Sequence, residues 1–390
     1  MLSFTGLTPV MKHPIPLGLY IHTPWCVRKC PYCDFNSHAV RGEIPEKDYI
    51  NALLTDLQHD LSLVDDRQVD SVFIGGGTPS LLSPEAYGRL FEGLQKTLSF
   101  SDTIEITLEA NPGTVEYQKF SEFRSLGINR LSIGIQSFND DMLTRLGRIH
   151  GKKEAIAAAE AAHDAGFDNF NLDLMYGLPQ QTTEQALQDL DTARALEPSH
   201  LSWYQLTLEP NTLFYQQPPT LPTDDLLWDI QQQGQAFIQQ AGYQQYEISA
   251  YSRQQPCRHN LNYWQFGDYL GIGAGAHSKL SNPDASHIQR RQRCRHPDDY
   301  LTKAASMDVI SQSQSLTDDE KILEFMMNAL RLTDGVSTEI FIQRTGLPLE
   351  MIQNKVGQAV DSGLLIASDT HIRPSEQGLR YLNNLLEVFL

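Results

Sequence analysis

Cys26, Cys30 and Cys33 stand in the pattern C-x3-C-x2-C within CVRKCPYC. Three thiolates from one tight loop can converge on a small inorganic core. In a reducing compartment such a cluster more often holds metal than disulfide. The 390 residues carry five cysteines, too few for a disulfide scaffold. A structural zinc site takes four ligands. His38 could supply the fourth, so zinc stands as the alternative. A [4Fe–4S] cluster usually takes four thiolates. With three, one iron stays open to bind something else, and the site is a reactive centre rather than a sealed electron carrier. Cys257 is a distant candidate for a fourth ligand, more than 200 residues along the chain.

The elements that must position this loop alternate along the first two-thirds of the chain. Short apolar, β-rich runs at 18–21, 71–74, 104–108, 131–135, 170–174 and 201–208 are separated by helical patterns at 46–63, 84–98, 114–126, 153–165 and 183–196. This rhythm predicts βα units on a parallel sheet, and six units predict a partial (β/α) barrel of the TIM-like kind. Polar residues cluster where those strands end: Tyr20 with His22, then 75–78, Glu109, Gln136, Asp173 and Thr207. In a β/α barrel these ends form the rim of a shared site.

After Pro210 the alternation weakens. A helix at 226–241 leads to a strand-like run at 243–249, a Cys/His stretch and the glycine run of GIGAGAH. ISQSQSLTDD reads as a polar linker closed by an acidic helix start. Beyond it, helices at 318–331, 338–345, 349–362 and 376–387 with a β-wing at 364–373 predict a winged-helix-like module. Three regions are therefore expected: a barrel core at 1–210, an extension at 211–310 and a C-terminal cap at 311–390. The presumed reading helix, EMIQNKVGQAVDSG, has one lysine against two acids, which favours a structural or partner-docking cap over DNA binding.

Composition narrows the classes further. The net charge is −18, from 30 basic and 48 acidic residues. Such a field repels nucleic acid, so no nucleic-acid partner is expected. No apolar run approaches the roughly 18 residues of a membrane span. Prolines interrupt the N-terminus where a signal peptide needs a continuous apolar core. A soluble, metal-carrying, cytoplasmic protein is the expectation.

The cysteine loop followed one unit later by GGGTP resembles the radical S-adenosylmethionine (SAM) superfamily. The longer stretches YIHTPWCVRKCPYCDFNS, FIGGGTPSLL, EANPGTV, RLSIGIQSF, NLDLMYGLP and HLSWYQLTLEPNT are similar to the oxygen-independent coproporphyrinogen oxidase family over nearly the whole chain. HNLNYW resembles a motif of its heme-chaperone branch. The resemblance implies a [4Fe–4S] cluster on Cys26, Cys30 and Cys33 whose open iron is chelated by SAM. It implies SAM contacts from Tyr20, Gly77, Glu109 and Thr207, with Tyr32 inside the loop. Thr78, Pro79, Gln136, Arg148 and Asp173 match positions that hold a second SAM in the oxidase.

Two departures set this chain apart from the oxidase. Where the oxidase has a further cysteine two residues after the third, this chain reads Cys33-Asp34-Phe35. Only 19 residues precede Tyr20, against a long substrate-covering extension. The expected function is therefore a heme chaperone that binds heme and hands it to acceptor hemoproteins, respiratory and membrane-bound ones among them. The alternative is oxidative decarboxylation of coproporphyrinogen III. Heme iron takes an axial His, Cys, Met or Tyr. His259 is the first candidate ligand, with Tyr263 and Trp264 to cover a porphyrin face, and His277 is the second. By family, a cluster-dependent homodimer is a further expectation.

Overall fold

Alternation within each short apolar run decides which side of the sheet every residue serves. In the computed structural model, which describes residues 15–64, 67–113 and 117–390, strand β1 (Leu17–Thr23) shows the rule. Leu17, Leu19 and Ile21 are buried in one apolar core with Tyr49 and Leu53 of helix α1 (Glu46–Leu57). Gly18, Tyr20 and His22 take the opposite, concave face.

Strands β2 (Gln68–Gly76), β3 (Ser99–Ala110), β4 (Arg130–Gln136), β5 (Phe170–Tyr176) and β6 (His200–Gln205) follow, each parallel to the one before. Helices α2 (Pro84–Gln95), α3 (Phe120–Ser125), α4 (Lys152–Asp164) and α5 (Thr183–Ala195) connect them. Their starts are legible locally. Ser83 accepts from the Ala86 N–H with proline at the first helical position, and Thr182 and Gln185 form a reciprocal capping box. Past helix α6 (Asp224–Gln240), strands β7 (Gln244–Glu247) and β8 (Ala250–Ser252) extend the sheet antiparallel beyond β6.

The chain then crosses to the other side of β1. Strand β9 (Asp268–Ile272) pairs parallel with β1 as a seventh parallel strand, one more than the six expected. Strands β10 (His277–Ser281), β11 (Ile288–Arg293) and β12 (Ile310–Ser315) continue antiparallel from it. The full order is β12-β11-β10-β9-β1-β2-β3-β4-β5-β6-β8-β7, and the sheet does not close. The fold is thus a partial barrel. Buried ion pairs fix the returning strands. Asp268 at the start of β9 meets Lys279 Nζ at 3.0 Å and Arg67 Nη1 at 2.8 Å, and Arg293 joins Asp56 at 2.7 Å and Asp60 at 2.8 Å.

Helix α7 (Arg258–Trp264) carries HNLNYW into the concave side of the sheet. His259 Nδ1 bonds Ser71 Oγ at 2.9 Å, and Cys257 Sγ donates to Glu105 Oε1 at 3.3 Å. Gly18 makes room for it, since a Cβ there would lie 3.2 Å from His259 Cε1. The helix forms a floor beneath the rim.

The C-terminal region builds a second core around Phe325, Phe341 and Leu385 that also takes in Phe266 and Ile288 from the barrel side. Helices α8 (Asp318–Ala329), α9 (Thr338–Thr345) and α10 (Glu350–Asp361) pack with a three-stranded wing of Val336–Ser337, Leu365–Ala367 and His371–Pro374.

Four local expectations need correction. The stretch read as a Ser/Gln linker is the edge strand β12, held by its ladder with β11 rather than by an apolar face. The helix expected over 46–63 stops at Leu57. There the N–H groups of Gln58, His59 and Asp60 tighten onto carbonyls three residues back, and a 3-10 turn covers Leu61–Leu63. The helix expected over 376–387 breaks at Tyr381 into α11 (Glu376–Arg380) and α12 (Leu382–Glu387). Of the helix expected at 114–126, residues 114–116 lie outside the described residues, and the helical segment is Phe120–Ser125.

Candidate functional site

The cysteine loop leaves the end of β1 through Trp25–Cys26, which pairs with His38–Ala39 and closes residues 27–37 into a hoop. The glycine run at the end of β2 lies against its stem. Gly77 N–H donates to Thr23 O and Thr78 N–H to Trp25 O, both at 2.7 Å. A Cβ on Gly77 would sit 2.5 Å from the Trp25 carbonyl oxygen, a backbone clash that no rotamer relieves. Asn36 ties the hoop from the other side. Its carbonyl bonds His22 Nε2 at 2.8 Å, and its amide donates to Ala274 O at 2.9 Å and Arg295 O at 2.8 Å.

Cys26, Cys30 and Cys33 are all free thiols and line one cavity of about 330 Å³. Cys33 Sγ lies 3.7 Å from Ser37 Oγ, and Arg148 Nη1 donates to Cys30 Sγ at 3.6 Å. Burial pushes the Cys26 and Cys33 thiols up, while hydrogen bonds from Thr78 and Ser37 to Cys26 and from Ser37 to Cys33 pull the other way. Among the described residues, no three His, Cys, Asp or Glu side chains gather tightly enough to hold a single metal ion. Thiols spaced around a cavity wall suit a polynuclear centre, in which each takes a different iron. The two other ligands considered lie elsewhere. Cys257 is fully buried in the floor against Glu105, and His38 bonds the Asn36 side chain, with neither on this wall.

The opposite wall comes from the strand ends. Glu109 Oε2 accepts from Gly76 N–H at 3.1 Å. Burial, with Asp173 adding to it, pushes its carboxyl up to about 8, against the pull of Gly76 and Arg130, so it is protonated at neutral pH. Asp173 is likewise pushed up by burial, although Ser132 and Asn171 donate to it at 3.0 and 2.8 Å. Gln136 holds a left-handed backbone, φ 69°, at the very end of β4, and its Oε1 accepts from Tyr204 at 2.8 Å. Such a conformation in a non-glycine residue persists only where its surroundings enforce it. Arg148 Nη2 is fixed by Asn111 Oδ1 at 2.8 Å and Gly134 O at 2.7 Å, while Asn111 Nδ2 donates to Thr78 Oγ1 at 2.8 Å. Pro79 opens a 3-10 turn, and Tyr32 leans on Phe214 with ring centres 6.3 Å apart.

One cavity therefore gathers the three cysteines with Tyr32, Gly77, Thr78, Pro79, Glu109, Gln136, Arg148 and Asp173. Tyr20 faces an adjoining cavity, which shares Phe35, Gly76 and Glu109 with the first. Thr207 is exposed two residues past β6 and lines neither cavity. His259 lines neither as well. It is fully buried, stacked on Phe73 at 5.1 Å and edge-on to Tyr263 at 4.7 Å, and its Nε2 has no hydrogen-bond partner among the described residues. Sequence reasoning passed over Asn111, Ser132, Ser202 and Tyr204 on the cavity wall. For Ser132, Ser202 and Tyr204 the signal available was a polar residue at alternate positions of a strand, whereas Asn111 follows the end of β3. Chemically, three thiols face a wall of half-buried carboxyl and guanidinium groups and a buried amide, a fit for a thiolate-bound cluster beside a small zwitterionic ligand.

Comparison with known proteins follows the same lines. The radical SAM superfamily model matches residues 20–193, and the HemN C-terminal domain matches 316–381. The heme chaperone HemW of Escherichia coli (strain K12) is 50% identical over 376 residues, covering 96% of this chain and 98% of that protein. The heme chaperone HemW of Bacillus subtilis (strain 168) is 32% identical over 378 residues, covering 95% and 98%. Among solved structures, the coproporphyrinogen III oxidase HemN of Escherichia coli, described as a radical SAM enzyme, is similar with a TM-score of 0.81 at 25% identity, covering 96% of this chain and 90% of that one.

Proposed function

The chain belongs to the heme chaperone HemW family within the radical SAM superfamily, and from that premise we propose that it binds heme and passes it to acceptor hemoproteins, respiratory ones among them. It does so carrying a [4Fe–4S] cluster and SAM, in the cytoplasm, where thiols stay reduced. Cys26, Cys30 and Cys33 would hold three irons, leaving the fourth open. Such a cluster, when bound, can supply one electron to the sulfonium of SAM. Glu109, as a neutral carboxyl on the cavity wall, donates or accepts a hydrogen bond at a ribose hydroxyl without placing a charge there. Gly77, Thr78 and Pro79 give the ligand a backbone surface, and Arg148 and Asp173 face its ionic end. Among the described residues no helix is long and apolar enough to cross a membrane, so a membrane-bound acceptor would be met from outside the bilayer.

The observation that carries this reading is the 50% identity to heme chaperones across nearly the full chain, cysteine loop included. The test is an anaerobic heme titration of cluster-reconstituted protein, followed in the Soret region. Saturable binding near one heme per chain, then loss of that heme to an added apo-hemoprotein, is expected. Absence of saturable binding overturns the proposal.

A second reading, oxidative decarboxylation of coproporphyrinogen III, draws support from the TM-score of 0.81 to that oxidase. Against it stands Phe35, an apolar side chain 62% exposed at the mouth of both cavities, where the oxidase pattern has a cysteine. Protoporphyrinogen formation from added substrate would favour the oxidase.

A further inference from the structure

The adjoining cavity encloses about 520 Å³, within the roughly 300–1,000 Å³ usual for a bound cofactor. Its wall is largely aromatic, with Glu109 where it meets the cluster cavity and Arg295 among its lining residues. Tyr263 and Tyr269 meet edge to face with ring centres 4.5 Å apart. Two histidines line it, and they differ in what they have left to offer. His22 is engaged at both ring nitrogens, Nδ1 by the Tyr20 hydroxyl at 2.9 Å and Nε2 by Asn36 O at 2.8 Å. Among the described residues the ring of His277 at the start of β10 makes no hydrogen bond, and it is exposed and lines the cavity. Arg290 nearby is already taken by Glu324 and the Tyr269 hydroxyl. Arg295 lines the cavity with no side-chain hydrogen bond or ion pair among the described residues.

The geometry points to this cavity as the heme dock, with His277 as an axial iron ligand, Arg295 pairing a propionate and the tyrosine pair facing the macrocycle. The inference rests on the heme-carrying function proposed above. Partial burial, with Arg290 and Arg295 adding to it, holds His277 below the usual imidazole range, so a neutral nitrogen is available at pH 7. Asn36 of the cysteine hoop grips both segments that present these residues, through Ala274 O in the turn before β10 and Arg295 O past the end of β11. A Cβ on Gly275 of that turn would meet Asn36 Nδ2 at 2.3 Å, so the contact is closed on both sides. Heme in this cavity would share the Phe35–Gly76–Glu109 wall with the cluster cavity.

The experiment is heme titration of the cluster-reconstituted full chain, wild type against His277→Gly, Arg295→Ala and His259→Ala, read by Soret position and affinity. His277→Gly should shift the Soret band and weaken binding at least tenfold, with free imidazole restoring the wild-type band. Arg295→Ala should weaken binding several-fold and leave the band in place. His259→Ala should leave the band in place. Saturable wild-type binding with band and affinity unchanged in His277→Gly overturns the site while the carrier function survives. No saturable binding in the wild type overturns that function and this site with it. A circular dichroism spectrum matching the wild type excludes misfolding of the His277 variant, and imidazole rescue reports the ligand position independently of stability.

Discussion

Arg148 Nη1 points at Cys30 Sγ from 3.6 Å, across a separation of 118 residues. The same guanidinium is fixed by Asn111 and Gly134, so its charge is held beside the thiol by the fold rather than drawn in by a ligand. A fixed cation next to a cluster ligand favours the reduced, more negative state. Arg148→Met should therefore lower the cluster reduction potential, on the order of 50–100 mV for a unit charge several ångströms away at intermediate dielectric. A redox titration followed by electron paramagnetic resonance measures this, and an unchanged potential would show that the charge is screened.

The cysteines divide into two classes by position. Alanine at Cys26, Cys30 or Cys33 should bring iron and sulfide content after reconstitution to near zero. Cys257→Ala should retain both, because that thiol sits on the barrel floor against Glu105. Iron retained in the three loop variants, or lost in Cys257→Ala, contradicts the assignment.

Glu109 makes the metal-free protein sensitive to alkali. Its carboxyl titrates near 4.5 in the unfolded chain and is pushed to about 8 in the fold, first by burial and then by Asp173. Between those values unfolding releases a proton, so this contribution to stability falls as pH rises from about 4.5 to 8 and is level beyond. Glu109→Gln removes the titration. Its thermal midpoint, relative to the wild type, should rise progressively across that window. A constant difference between the two proteins at all pH values would refute the shifted carboxyl.

Asp268 behaves in the opposite sense. Burial pushes its carboxyl up, but Lys279 and Arg67 prevail and hold it below the ordinary carboxylate range. Its contribution is present above the unfolded value near 3.8 and is lost as pH falls through the lower folded value. Asp268→Asn leaves Lys279, fully buried, without its counter-charge. A cost of about 3–5 kcal/mol in chemical denaturation is expected. A loss under 1 kcal/mol would mean that Lys279 is deprotonated in the variant.

Much of this architecture is legible in the chain because burial follows local pattern. The alternate Leu17, Leu19 and Ile21 mark an outer face, and Gly18, Tyr20 and His22 an inner one, without reference to any neighbour. The cysteine spacing and the glycine run are equally local, and both line one cavity. What escaped was set by partners far away. ISQSQS has no apolar alternation, and it is a strand only because β11 offers it a ladder from Gln289 to Arg293. Strand β9 is only five residues long and runs into the glycine turn that follows it, and its place beside β1 is fixed by Asp268 meeting Arg67 and Lys279. His259 could be recognised as a residue with a role, but not as one shut beneath Phe73 and Tyr263. Periodicity reports that a side chain is inside, and only the assembled sheet reports which interior.

The pairing of β1 with β9 constrains the order in which the molecule can be made. Leu17 meets Asp268 and Ile21 meets Ile272, so strand β1 waits some 250 residues of synthesis for one of its two neighbours. Until then β1 can pair with β2 alone, and its other edge offers an unprotected row of backbone donors and acceptors flanked by leucines. The cysteine hoop hangs from that half-paired strand, and Asn36 has no turn to grip before Ala274 and Arg295 have emerged. Synthesis of the last third therefore completes the support of the cysteine loop of the first. A nascent chain arrested before Asp268 is the form most exposed to aggregation and least able to keep iron.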